Sequence, residues 1–280
     1  MNSRFWRRFC RNKGAVFGLM VLMLVALAAA VGPLVAQHDA WDMAGVPFQP
    51  PLAEEGMPLG TDTMGRDILS GIIAGGRVSL LIGVVSTVVS LLIGVGVGAV
   101  SGYFGGWVDA TLMRFSELFQ AVPSFALAIV LVAIFQPSVQ SIVAAIAVVS
   151  WPPVARLVRS EFLTLRQRDF VAAAQLAGQS TPRIILTQIL PNAASPIVVM
   201  ASLMVATAIL LESSLSFMGL GDPNQMTWGY MVGSARTVLR QAWWMAVFPG
   251  VAILLTVLAL NLVGEGLNDG LNARADGRGK

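Results

Sequence analysis

The sequence predicts an all-α membrane protein of six transmembrane helices with both termini in the cytoplasm. Three observations predict it. Hydrophobic residues make up 56% of the chain and charged residues only 12%, against the roughly 25% charged that a soluble domain carries. Charge-free windows open between Lys13 and Asp39, Arg77 and Asp109, Glu117 and Arg156, Arg183 and Glu212, and Arg240 and Glu265. Each can hold the roughly 20 apolar residues that a helix needs to cross a bilayer. Basic residues are also spread unevenly among the segments that join these windows.

Residues 1–14 form a basic leader and 15–36 the first span. Its apolar run outlasts the roughly 7–15 residues of a secretory signal, so a retained helix is expected. Residues 37–76 form an outer segment. Pro47, Pro50, Pro51, Glu54 and Glu55 make part of it an extended surface stretch, and Gly65 to Gly75 forms a short interfacial helix. Asp62, Arg66 and Asp67 pair locally there. A core domain, 77–265, follows. Its spans lie at 78–101, 113–135, 139–155, 193–214 and 244–264, the second and third of these parted by a turn at Gln136-Pro137-Ser138. Residues 156–191 form a cytoplasmic loop. The uncharged stretch 223–235 is short and holds Pro223, Asn224 and Gly229, which reads as a surface or interfacial loop. Residues 266–280 are a cytoplasmic tail.

Orientation follows from Lys and Arg. With the N-terminus inside, cytoplasmic segments hold Arg4, Arg7, Arg8, Arg11, Lys13, Arg114, Arg156, Arg159, Arg166, Arg168, Arg183, Arg274, Arg278 and Lys280. The outer side holds only Arg66, Arg77, Arg236 and Arg240, four of the 18 basic residues. The net charge of +3 therefore reflects topology and is a poor argument for nucleic-acid binding.

Several chemistries are excluded. The single cysteine, Cys10, rules out an internal disulfide, and one His with one Cys cannot build a His/Cys metal site. Neither lysine, Lys13 or Lys280, sits in a phosphate-binding loop motif. A catalytic constellation would need a nucleophile with a base, and the lone His38 lies at an outer span end. An ion-coupled secondary transporter stays as the alternative class; it would need inverted repeats or interrupted helices with central ionisable groups. Glu212 and Glu265 fall at span ends instead, and Asn261 bonds a neighbouring helix.

Within the second span, Ser86, Ser90, Gly94, Gly98 and Gly102 place a small residue at every fourth position. That row is one helix stripe, and small residues let membrane helices approach closely. Arg114 and Glu117, three apart at the start of the third span, share a face and form a structural pair.

The stretch 169–192, DFVAAAQLAGQSTPRIILTQILPN, is too polar for lipid. Phe170, Ala173, Ala174 and Ala177 fall on one face of a short helix that begins at Asp169. Gly178 sits where a helix ends with positive φ. Ser180 or Thr181 caps a second helix with Pro182 at its first position, and Leu190, preceding Pro191, ends it. The result is two short helices at an angle between the fourth and fifth spans. Such a pair either lies on the headgroups or docks a cytoplasmic partner. Interfacial helices usually carry many basic residues, and only Arg183 follows Asp169 here, which favours docking.

The same stretch resembles the cytoplasmic loop of ABC importer permeases, whose pattern is Glu-Ala-Ala, three residues, Gly, nine residues, Ile-x-Leu-Pro. It reads Ala172-Ala173-Ala174, Gly178 and Gln188-Ile189-Leu190-Pro191, with Ala172 in place of the glutamate and Gln188 in place of the isoleucine. PLGTDTMGRDILS (58–70), MRFSELFQAVP (113–123), ESSLSFMGLGDP (212–223), TWGYM (227–231) and the run from Trp243 to Leu271 resemble the dipeptide, oligopeptide and nickel importer permeases. The first span and its basic leader resemble the extra N-terminal helix of the C-type, second-permease subunit. The resemblance implies the type I ABC importer permease fold, as in the methionine importer. It also implies a heterodimer with a homologous second permease, two cytoplasmic ATPases docked on 169–191, and an external solute-binding protein. This chain would then carry no catalytic residue, metal or cofactor, ATP being bound by the partners. Peptides are the first choice of cargo, with nickel or glutathione as alternatives.

Overall fold

The computed structural model describes residues 2–35, 38–53 and 56–271. Glu54, Glu55, Arg274, Arg278 and Lys280 lie outside them. The chain is helical because a helix satisfies every backbone group internally, which lipid demands. Helix α1 (Asn2–Phe9) precedes α2 (Lys13–Val35). Residues 38–53 and 56–67 form an irregular cap knit by Thr61, whose hydroxyl donates to the Val46 carbonyl at 2.6 Å. The Trp244 indole donates to the Thr61 carbonyl at 3.1 Å, fastening the cap to the last span.

Helix α3 (Ile68–Phe104) is one rod of 37 residues, about 56 Å at 1.5 Å per residue. The interfacial helix expected over Gly65 to Gly75 is therefore the first part of this span. Asp67 explains the start: its carboxylate accepts the Leu69 and Ser70 N–H groups and the Ser70 hydroxyl. The expected pairing of Asp62, Arg66 and Asp67 does not form. Asp62 accepts the backbone N–H groups of Met64 and Arg66, and the Arg66 guanidinium lies 4.5 Å over the Trp41 ring.

The third expected span is not straight. Helices α4 (Gly106–Ala121) and α5 (Ser124–Phe135) are bent by 82°. Pro123 has no N–H and pushes Val122 into extended backbone, φ −96° and ψ 135°. Helix α6 (Val139–Leu165) opens with a capping box between Ser138 and Ser141 and runs past the expected end at 155.

Helix α7 (Asp169–Leu176) and α8 (Thr181–Arg183) follow. A π-helical turn, Ile184–Ile189, leads into α9 (Leu190–Leu215), and a second, Ser216–Leu220, leaves it. From Thr181 to Leu220 these pieces form one candidate span of 40 residues, kinked near its end at Gly219, where φ is 86°. The expected stop at Leu190 is thus corrected. The Leu190 N–H reaches back five residues to the Ile185 carbonyl, a widened register that makes room for a ring with no N–H to offer. The stretch 223–235 is likewise no surface loop. It holds α10 (Trp228–Ser234), with Trp228 2% exposed and Thr227 as its side-chain cap. Helix α11 (Trp244–Leu271) ends the described chain.

Helix α2, α3, α6, the Thr181–Leu220 helix and α11 are long and apolar enough to cross a membrane. The bent pair α4–α5 makes a sixth if it is one span. The seam between α3 and α6 explains the small stripe. A Cβ on Gly94 would meet Val154 Cβ at 2.5 Å, one on Gly98 the Ala155 carbonyl oxygen at 2.5 Å, and one on Gly102 the Phe162 Cβ at 2.6 Å. Ser86 and Ser90 are fully buried on the same row, and the Ser90 hydroxyl donates to the Ser86 carbonyl at 2.7 Å.

Candidate functional site

The site is the elbow of α7 and α8, and it hangs from a fixed corner. Asp109 of α4 receives Arg159 of α6 through both carboxylate oxygens, with Nη2 to Oδ2 at 2.6 Å, and also accepts the Ser101 hydroxyl of α3. Just past the end of α6, the Arg166 guanidinium donates to the Tyr103 and Gly102 carbonyls at the end of α3, at 3.0 and 3.4 Å. Three helix ends are thereby pinned at the base of the elbow. Arg159–Asp109 is the one ion pair among the described residues. The expected pair of Arg114 and Glu117 is not formed, and both side chains are exposed. A base three residues before an acid is the less favourable order on a helix, and a surface pair gains little in any case.

Helix α7 starts at Asp169 and ends as its sequence demands. The Ala177 N–H bonds the Ala173 carbonyl at 2.9 Å, the Gln179 N–H bonds the Ala174 carbonyl at 3.1 Å, and Gly178 takes φ +71° between them. That is a helix end closed by a left-handed residue. Ser180 caps α8 through its carbonyl, which accepts the Ile184 N–H at 3.0 Å. Its hydroxyl makes no cap bond, and Pro182 falls at the second helical position.

The buried face of α7 differs from the expected one. Val171 (0% exposed) and Ala174 (6%) point inward, beside Ile184 and Ile189 of the following turn and Val158 and Phe162 of α6. Ala172, Ala173, Ala177 and Phe170 are exposed, as is Leu176 at 91%. The stripe of Phe170, Ala173, Ala174 and Ala177 therefore does not act as one face. Only Ala174 packs on this chain's own core, because Val171, three residues before it, carries the larger apolar surface. The outward side presents Leu176 and Leu186 (61% exposed), with Pro182 and Arg183 between them. Leu190 is partly buried and Pro191 exposed.

The far end of the Thr181–Leu220 helix is built from polar contacts. Glu212 is 0% exposed, and its Oε1 accepts the hydroxyls of Ser216 and Thr227, each at 2.8 Å. Thr227 in turn caps α10 by accepting the Tyr230 N–H at 2.9 Å. The Trp228 indole donates to the Ile72 carbonyl at 2.8 Å. Sequence reasoning missed these partners. Asp109 and Arg159 lie 50 residues apart and Glu212 and Thr227 15 apart, and no periodic pattern links them.

The family model of the binding-protein-dependent transport system inner membrane component matches residues 94–277, which contain the whole elbow and both ends of its long helix. The chain belongs to this family. A second model, the N-terminal transmembrane domain of oligopeptide transport permease C, matches residues 2–51. This permease is 41% identical to the di/tripeptide transport system permease protein DppC of Pseudomonas aeruginosa, over 97% of this chain and 92% of that one. It is 37% identical to the dipeptide transport system permease protein DppC of Haemophilus influenzae, over 97% and 94%. It is 40% identical to the glutathione transport system permease protein GsiD of Pectobacterium atrosepticum, over 96% and 90%. Its fold matches a chain of the MetNI methionine ABC transporter in inward-facing conformations, with a TM-score of 0.59 and 17% identity, over 70% of the permease and 93% of that chain. The permease is a multi-pass protein of the bacterial inner membrane and a membrane subunit of an ABC importer.

Proposed function

We propose that the permease moves short peptides inward by alternating access, driven by two cytoplasmic ATPases that dock on 169–191. One observation carries this reading: the elbow is anchored inward by Val171 and Ala174, opens Leu176 and Leu186 outward, and leads past Gly178 into a long helix that runs from Thr181 to the kink at Gly219. Coupling needs a stiff element that both sites can bias between two arrangements. A push on the outward leucines displaces a rod about 57 Å long, from Thr181 to the kink at Gly219. Phosphoryl transfer takes place in the partners, where catalysis is largely positioning and charge stabilisation. This chain is the lever, holds no cofactor and performs no catalysis of its own. The basic residues place the elbow and both termini in the cytoplasm, on the side where ATP is available. A homologous second permease completes the passage, and an external binding protein delivers cargo to the cap at 38–53 and 56–67.

Peptide cargo is supported by the names of the relatives at 41% and 37% identity. Glutathione is the second reading, favoured by the relative at 40%. Being a tripeptide, it asks for the same backbone recognition. The test reconstitutes the complex in vesicles with its binding protein and measures ATP hydrolysis and uptake. Dipeptides should stimulate both. Stimulation by glutathione alone replaces the cargo, and stimulation by neither overturns the assignment.

A further inference from the structure

Helix α1 has no part in the lever. Phe5 and Phe9 stack on each other, with ring centroids 6.1 Å apart, and lie on Gly270 and Gly266 of α11. A Cβ on Gly270 would meet the Phe5 ring at 2.6 Å, and one on Gly266 the Phe9 ring at 3.0 Å. Asn12 closes the joint, donating from its amide to the Asp269 carboxylate at 3.0 Å and accepting the Ala15 N–H at 3.1 Å. The helix is thus fixed across the end of α11, at the point where the span α2 begins with Lys13. Trp6 is 51% exposed beside the two phenylalanines, with edge contacts to both at 5.8 Å. Arg7, Arg8, Arg11 and Lys13 are exposed, and none is paired with a carboxylate among the described residues. The turn continues past α1, with the Cys10 and Arg11 N–H groups bonding the Trp6 and Arg8 carbonyls, so Arg11 stays beside Arg7 and Arg8.

We propose that α1 is a membrane-interface helix whose Arg7, Arg8 and Arg11 bind the phosphates of anionic phospholipids, while Trp6 sits at headgroup level. Charge complementarity selects that occupant. Four unneutralised cations stand at a membrane boundary, where arginine forks match phosphate oxygens and a surface tryptophan matches the headgroup region. A soluble acidic partner would leave Trp6 unexplained. Because Phe5 and Phe9 clamp α11, a bound headgroup also holds the end of the last span.

The test uses the full-length permease in neutral detergent, titrated with phosphatidylglycerol or phosphatidylcholine and read by native mass spectrometry. Wild type should bind phosphatidylglycerol in preference to phosphatidylcholine. R7Q/R8Q/R11Q should lose roughly a hundredfold of that affinity, roughly fivefold per arginine. R7K/R8K/R11K should keep most of it, which separates charge from folding, and R240Q at the opposite end of the molecule should match wild type. Inorganic phosphate at matched concentration should not compete. Equal binding of the two lipids, an unaltered glutamine variant, or displacement by inorganic phosphate would each overturn the proposal.

Discussion

The two ends of the Thr181–Leu220 helix are built by opposite rules. At the elbow end, beyond the polar corner at Asp109, apolar side chains hold α7 in place, and other apolar side chains, Leu176 and Leu186, are left open. The connection passes through Gly178, where φ is +71° and a Cβ would meet nothing within 4 Å. At the other end a buried carboxylate gathers hydroxyls from two elements, and glycines are pressed against backbone. A Cβ on Gly233 would meet the Ser216 carbonyl oxygen at 2.7 Å. On the proposed reading, one end receives a contact that comes and goes. The other is made to stay attached, so that α10 travels with the rod. A rod transmits force only if its far end cannot slip, and the hydrogen bonds of Glu212 supply directional strength that apolar packing alone would not.

The largest effect should come from attacking the fixed end. Glu212→Ala strands the Ser216 and Thr227 hydroxyls in a buried site, at roughly 1–3 kcal/mol for each unsatisfied donor. A large drop in the detergent melting temperature and in membrane-inserted protein is expected. Glu212→Gln keeps an acceptor at Oε1 and should melt close to wild type, so a variant as unstable as the alanine would show that charge, and not hydrogen bonding, is what counts. Next is the seam that supports the rod. Gly98→Val drives a side chain into the Ala155 carbonyl and Val158, an overpacking that costs about 1–3 kcal/mol. Unchanged melting would mean that α3 and α6 separate easily.

The effect at the elbow should be smaller in stability and larger in coupling. Gly178→Val forces a β-branched residue to a left-handed backbone, at about 1–2 kcal/mol. The complex should still assemble, with ATP hydrolysis retained and uptake reduced. Normal uptake would remove Gly178 from the mechanism. Smallest of all, Arg114→Gln should leave stability within about 0.5 kcal/mol, as an unpaired surface change does.

The contrast also explains what the sequence could reveal. Spans were legible because lipid tolerates few charges, so Asp109 and Arg240 mark boundaries without any knowledge of packing, whereas Arg77 does not, lying inside α3. The stripe from Ser86 to Gly102 was legible because its period is that of the helix. Breaks were harder. Pro123 breaks its span and Pro191 does not, and the difference lies in whether the register can widen upstream, as it does at Ile184–Ile189. Helix α10 was hidden because Pro223, Asn224 and Gly229 suggest a loop, whereas Trp228 and Met231 bury it against α3. On α7 the outward and inward sides were exchanged in part, because alanines carry little information about which way a short helix faces. The polar joints at Asp109 and Glu212 depend on pairings across the fold, which a single sequence does not display.

The central claim is that the open side of the elbow is where the ATPases take hold. The most direct measurement is co-purification of the ATPases with the Leu176→Asp permease, made alongside its melting temperature. Leu176 is 91% exposed, so the variant should fold and insert like wild type while its bound ATPase and peptide-stimulated hydrolysis both collapse. A Leu176→Asp permease that holds its ATPases and transports normally would contradict the account.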